Sequence, residues 1–227
     1  DLTLCASSDL VAEARRLGAR QARLLSVAAP ALPATSVSRN LARADLGLAE
    51  NDVLVLTVAR LAPQKNLGLV LDVAAALRDR AELHFVVAGE GPERPELERR
   101  ISDERLPVTL LGHRDDLRSL LAAADLALLT SAWEARSLVA QEALLAGLPL
   151  VSTRVGGIAE LVGEAAVLVG SGDAQAAALA VAALADDPAE RARRRELGRR
   201  QAAAWPDEDQ VVTELLAAYQ EVARLRR

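Results

Sequence analysis

"VLVLTVARLAPQKNLGLVLDVAAALRDRAELHFVVAG", Val53 to Gly89, holds a complete strand–helix–strand unit. It begins and ends on short apolar runs, VLVLTVA and LHFVVAG. Runs that are continuous in Val and Leu, rather than alternating with polar residues, belong to strands buried on both faces, as in a parallel sheet between helices. The segment between them, LGLVLDVAAALRDR, is long enough for the helix that a parallel crossover needs. Outward from this unit the alternation continues in both directions. LTLCA precedes DLVAEARRLG and ARLLSV; VTLLG precedes DDLRSLLAAA; LALLT precedes SLVAQEALLAG; LPLVS precedes IAELVG; AAVLVG precedes AQAAALAVAALAD. The predicted fold class is α/β, a doubly wound, Rossmann-like parallel sheet.

The 227 residues are 51% apolar, chiefly Ala, Leu and Val, which is enough for a sizeable core. The net charge of −5 and the 2% of aromatic residues argue against nucleic acid as a partner. The arginine-rich run Arg191–Arg200 is expected to be a solvated helix face with Ala192 and Leu197 turned inward. A single cysteine, Cys5, rules out an intrachain disulfide and fits a reducing compartment. No apolar run reaches membrane-spanning length and no signal peptide is visible. The opening DLTLCAS looks like a strand already under way, as in a piece of a longer protein. Residues 28–38, AAPALPATSVS, have the composition of a linker, and the residues after Trp205-Pro206 that of a terminal amphipathic helix.

Ligands of doubly wound sheets lie beyond the carboxyl ends of the strands, so the turns there are the places to search. RLAPQKN puts Arg60 and Lys65 in a strand-to-helix loop, with Asn66 as the expected cap; two cations beside a helix N-terminus can hold an anion. GEGPER resembles the start of a dinucleotide fingerprint, but Arg94 stands where the third glycine belongs and Glu90 where a pyrophosphate would approach, so Gly89 and Gly91 are turn glycines. Asp115 and Asp116 open a helix, which suits capping. No His, Cys and Asp residues show metal spacing, and no Ser-His-Asp grouping can be argued.

Two carboxylates remain. Glu134 precedes the helix LVAQEALLAG, which Ser137 would cap and Gly147 would end. Glu142 shares a face of that helix with Leu138 and Leu145, a face expected to be packed. A buried carboxylate needs a partner. Either a nearby arginine or a hydroxyl-rich ligand would serve. STRVGGIAELV adds a glycine-rich turn whose amides could face a phosphate or a sugar.

Together ARLAPQKN, AGEGP, LLGHRDDL, AAADLALLTSAWEARSLVAQEALLAGLPLVSTRVGGIAELV and AAVLVGSGD resemble the C-terminal, donor-binding lobe of retaining glycosyltransferases of the GT-B fold, the family 4 group. The resemblance runs from about Asp52 to Asp173 in the family's order. It implies transfer of a sugar from a nucleotide-sugar donor with retention of configuration. Arg60 and Lys65 would hold the donor diphosphate, with Glu134 on the sugar hydroxyls. The backbone amides of Leu138 and Val139 would meet phosphate or sugar, Glu142 the ribose hydroxyls, and the backbone near Arg114 the base. No metal or other cofactor is implied. Residues 1–27 resemble the end of the N-terminal acceptor lobe, 28–38 the interdomain linker, 39–205 the donor domain and 206–227 the helix that crosses back. The acceptor and most of its lobe are missing from this picture, and a cytoplasmic or peripheral membrane setting would suit it. The stretch Ala135–Ser137 departs from the family's Gly-aromatic-Gly, which bears on the sugar. A sugar-nucleotide epimerase of the same fold and a non-catalytic nucleotide-binding module are the rival readings.

Overall fold

The computed structural model describes residues 1–30 and 37–224. Two parallel sheets are present. The smaller pairs β1 (Thr3–Cys5) with β2 (Ala22–Leu24) across helix α1 (Ser8–Arg16), around Cys5, Val11 and Ala22. The larger has six strands: β3 (Val53–Val58), β4 (Leu83–Ala88), β5 (Val108–Gly112), β6 (Leu126–Leu129), β7 (Leu150–Thr153) and β8 (Ala166–Val169). Their order is β5-β4-β3-β6-β7-β8, all parallel, the doubly wound arrangement that the uninterrupted apolar runs predict.

Side chains alternate across a strand, so an uninterrupted apolar strand feeds two cores. Val53 and Val55 join the layer built with α3 (Leu67–Ala76) and α8 (Ala174–Asp186). Leu54 and Leu56 join the opposite layer, with α2 (Arg39–Asp45), α5 (Leu117–Ala123), α6 (Leu138–Leu145) and α7 (Ile158–Val162). Helix α4 (Arg94–Glu104) lies after β4, and α9 (Pro188–Ala203) and α10 (Glu208–Arg224) close the described chain. Helix α2 is fastened by Arg43, 5% exposed, whose guanidinium donates to the carbonyls of Ala49, Asp52 and Ala123 and to Asp125 Oδ2. The linker expected over 28–38 falls partly outside the described residues, as do residues 225–227 of the expected terminal segment.

The arginine run lies on α9 and is consumed locally. Arg193 and Arg194 both pair with Glu190, and these hydrogen bonds hold its carboxyl down to about 2. Arg191 donates to the carbonyls of Leu184 and Ala185 at the end of α8. Leu197 packs inward as expected, but Ala192 is exposed. The residue that seats α9 is Gly198: a Cβ there would stand 3.2 Å from Leu144 Cδ2 of α6, so the helices meet where no side chain intervenes.

Candidate functional site

The strand order reverses between β3 and β6, and the loops beyond their carboxyl ends form a crevice. The two loops are knitted together. Thr130 Oγ1 donates to Lys65 O at 3.0 Å, Ala132 N to Gln64 O at 2.8 Å, and Gln64 Nε2 to Trp133 O at 3.0 Å. A charge pair completes the set: Lys65 Nζ lies 2.5 Å from Glu134 Oε1, which also accepts from Ser131 Oγ at 2.8 Å. Glu134 is 7% exposed, so burial strengthens this contact beyond a surface ion pair.

The glycine turns bring the loops this close. A Cβ on Gly156, whose φ is +48°, would stand 1.9 Å from the carbonyl oxygen of Glu134, and one on Gly157 would stand 2.1 Å from that of Ala135. Gly157 N donates to Glu134 O at 2.9 Å. That amide, expected to be open to a phosphate or a sugar, is therefore spent on positioning Glu134. Gly89 and Gly91 act similarly, since a Cβ on either would overlap the carbonyl of Ala59 or Leu61. They are turn glycines, and their role is close packing of the loops after β3 and β4.

Lys65 and Glu134 line one recess of about 100 Å³ with Thr57, Arg60, Ser137 and Val139. A second recess of about 380 Å³ shares Arg60 and Val139 and is walled by Gly89, Glu90, Arg114 and Leu117. The two form one trough across the switch point. Arg60 stands exposed on their shared rim with no partner among the described residues. The side chain of Arg114, on the wall of the larger recess, is held by both carboxylate oxygens of Asp116, each at 2.7 Å. Asp116 thus makes no side-chain cap, contrary to expectation. Asn66 also fails to cap: it takes a left-handed conformation, φ 48°, as the hinge between a 3-10 turn at Pro63–Lys65 and α3.

Ser137 does cap α6, accepting from Ala140 N at 3.2 Å. The amides of Leu138 and Val139, in the first turn, have no acceptor within the helix and aim along its axis. The face expected to be packed differs from the one observed. α6 buries Ala140, Gln141, Ala143 and Leu144, while Leu138 and Leu145 are 40% and 52% exposed. Glu142, between those leucines, is nonetheless only 8% exposed. It has no hydrogen bond or ion pair among the described residues, and burial alone pushes its carboxyl pKa up. Among the described residues no arginine partners it. Leu138 and Glu142 line neither recess, so the structure gathers Arg60, Lys65, Glu134, Val139 and Arg114 and sets these two on the flank.

Sequence reading missed Gln64, Thr130 and Ser131. The signal was the hydroxyl pair that ends LALLTS, where an apolar strand meets a loop. Among the described residues no three His, Cys, Asp or Glu side chains gather as a metal site, and no helix is long and apolar enough to cross a membrane.

The family model for glycosyl transferases group 1 matches residues 38–201. The chain is 36% identical over 205 residues to D-inositol 3-phosphate glycosyltransferase of Geodermatophilus obscurus, covering 82% of this chain and 44% of that one. It is 34% identical over 152 residues to GDP-mannose-dependent alpha-(1-6)-phosphatidylinositol dimannoside mannosyltransferase of Mycobacterium tuberculosis, covering 65% and 39%. This chain thus spans less than half the length of these relatives. A structure of Anabaena Alr3699/HepE with UDP and glucose superposes with a TM-score of 0.86 at 24% identity, covering 96% of this chain and 62% of that one.

Proposed function

We propose, because the chain belongs to the glycosyl transferases of group 1, that it is the donor-binding half of a retaining, nucleotide-sugar-dependent glycosyltransferase of the GT-B fold. The observation that carries this is the half-buried Lys65–Glu134 pair at the switch point, beside Arg60 and the first-turn amides of α6. A pocket that places cations and helix amides together is suited to a diphosphate. A carboxylate next to them is suited to sugar hydroxyls.

In this reading Arg60 and Lys65 bind the diphosphate, and the amides of Leu138 and Val139 meet a phosphate or the sugar. When the bond between the anomeric carbon and the phosphate oxygen breaks, negative charge grows on the leaving diphosphate, and the two cations stabilise it. The acceptor hydroxyl oxygen bonds to that carbon on the face the diphosphate leaves, and its proton passes to the diphosphate. Glu134 orients the sugar, Glu142 accepts from the ribose hydroxyls, and the backbone at Arg114 meets the base in the larger recess. No metal is assigned a role. Residues 1–27 are read as the end of the acceptor lobe, 28–38 as the linker, 39–205 as the donor domain and 206–227 as the returning helix. The separate two-stranded sheet of residues 1–27 and the family match beginning at residue 38 support these bounds. The names of the relatives, one dependent on GDP-mannose, support a nucleotide sugar as donor.

Titration calorimetry of this chain with UDP, GDP and ADP tests the proposal. One diphosphate binds, and at a hundred times its Kd it stabilises the fold by about 2.7 kcal/mol. The same chain transfers no sugar by itself. Absence of heat with all three, or robust transfer by this chain alone, overturns it.

A further inference from the structure

Gln141 is 1% exposed and sits beside Glu142 in α6; it lines neither part of the trough but a different recess of about 240 Å³, with Ala28 and Ala29. Its Nε2 donates to Val27 O at 3.1 Å, and its Oε1 accepts from Ala29 N at 3.1 Å. A side-chain amide thereby takes the place that a neighbouring strand would take, satisfying one carbonyl and one N–H two residues apart. Arg136 makes the second attachment. Its Nε donates to the same Val27 carbonyl at 2.9 Å, filling that oxygen's second lone pair. Arg136 is half-buried and faces no close carboxylate, and desolvation lowers its pKa, with Glu160 as the opposing charge. It is therefore held there by packing and by this hydrogen bond rather than by an ion pair.

Position in the chain gives the two contacts their meaning. Arg136 lies between Glu134, which grips Lys65, and Ser137, which caps α6. Gln141 lies between the amides that begin α6 and Glu142. We propose that Arg136 and Gln141 are positioning residues that tie the site-bearing stretch Glu134–Glu142 to the backbone of Val27–Ala29, so that filling of the diphosphate site and seating of that segment are coupled. The inference rests on the donor-site reading above. Its physical basis is a competition. A diphosphate that takes Lys65 leaves Glu134 to change partners inside a pocket where it is almost fully buried. The loop that must adjust is fixed at Glu134 O by Gly157 N and, two residues on, to Val27 by Arg136. A ligand that favours one setting of this loop shifts the Val27–Ala29 contact to the extent that the contact differs between the settings, and by linkage the contact shifts the ligand's affinity by the same factor.

Residue-resolved hydrogen exchange on this chain, alone and saturated with whichever of UDP, GDP and ADP calorimetry shows to bind, reads the coupling at the Ala29 amide. The diphosphate is expected to change exchange at Ala29 at least tenfold. In Gln141→Leu, Ala29 exchanges fast with and without nucleotide. The Kd of that variant moves from wild type by the factor that separates the two wild-type exchange states. Arg136→Leu gives the same direction with a smaller change. A diphosphate that binds while leaving Ala29 exchange unchanged in the wild type overturns the coupling and leaves the donor site standing. That arm needs no variant to fold. Binding by none of the three overturns both.

Discussion

Lys65 and Glu134 neutralise one another across 2.5 Å, and their separation by substitution has two readable consequences. Lys65→Ala leaves Glu134 buried with Ser131 Oγ as its one side-chain donor among the described residues, so the chain loses about 1–3 kcal/mol of stability by thermal melting. If the proposed donor-site reading holds, then in a protein that also carries the acceptor lobe the same change removes the charge opposite the leaving diphosphate. Turnover falls about a hundredfold or more, while donor affinity falls less. An unchanged kcat refutes the role. Glu142 behaves in the opposite way, because no partner among the described residues holds its charge. Its pKa is raised by burial in the folded chain, so its carboxyl favours folding when protonated and opposes it as pH rises through the raised pKa. Glu142→Gln is therefore expected to raise the Tm of the nucleotide-free chain at neutral pH, with a gain that shrinks toward zero in acid. If its partner in function is a ribose, nucleotide affinity falls roughly ten- to a hundredfold in the same variant, from the loss of a hydrogen bond to a charged group. The 2′,3′-dideoxy nucleotide then discriminates poorly between variant and wild type, because the two changes delete one interaction. Additive losses across the four combinations mean that Glu142 does not hold the ribose.

At the scale of the element, the turns rather than the helices fix the site. Gly156→Ala must move either the Ala or the Glu134 carbonyl, since 1.9 Å cannot be accommodated, and φ is +48° besides. Gly172→Ala is the control: φ is +78°, but nothing lies within 4 Å of its Cβ. The control carries only the left-handed strain of about 1–2 kcal/mol, and Gly156→Ala adds about 1–3 kcal/mol of overlap. Denaturant melts of the two variants give that difference directly, and equal losses exclude the contact. Strands and most helices were legible in the sequence because an apolar run between turn residues has few other uses. The caps at Ser137 and the stop at Gly147 were legible too, as local chemistry. Asn66 and Asp116 were not, because a residue that suits a cap also suits a left-handed hinge or an arginine pair, and tertiary neighbours choose between them. The packed face of α6 was misread for a related reason. A helix apolar all round gives no periodicity to say which side meets the sheet.

Across the whole molecule, the pieces that line the trough come from four strand-end loops, those after β3, β4, β5 and β6, brought together by a strand order that reverses at β3 and β6. Such convergence is invisible to spacing along the chain: Gln64 and Trp133 touch across 69 positions. The family's order of motifs supplied it for Arg60, Lys65 and Glu134. It supplied nothing for Gln141 and Val27, whose contact depends on how residues 27–29 pass α6. The near absence of aromatic residues has a practical side. Trp133 and Trp205 are the chain's two tryptophans. Trp133, 43% exposed, has its carbonyl bound by Gln64 and immediately precedes Glu134; Trp205 is tied by Nε1 to Leu161 O at 3.1 Å and lines a different recess, with Ala28, Ala29 and Gln141. Trp205→Phe leaves a single indole, on the loop that the proposed coupling has adjust when a diphosphate binds. The chain carries its own optical gauge of site occupancy: the emission maximum of that variant should move on titration with the binding nucleotide, with the midpoint that calorimetry gives, and a spectrum indifferent to saturating nucleotide would mean that the loop stays still.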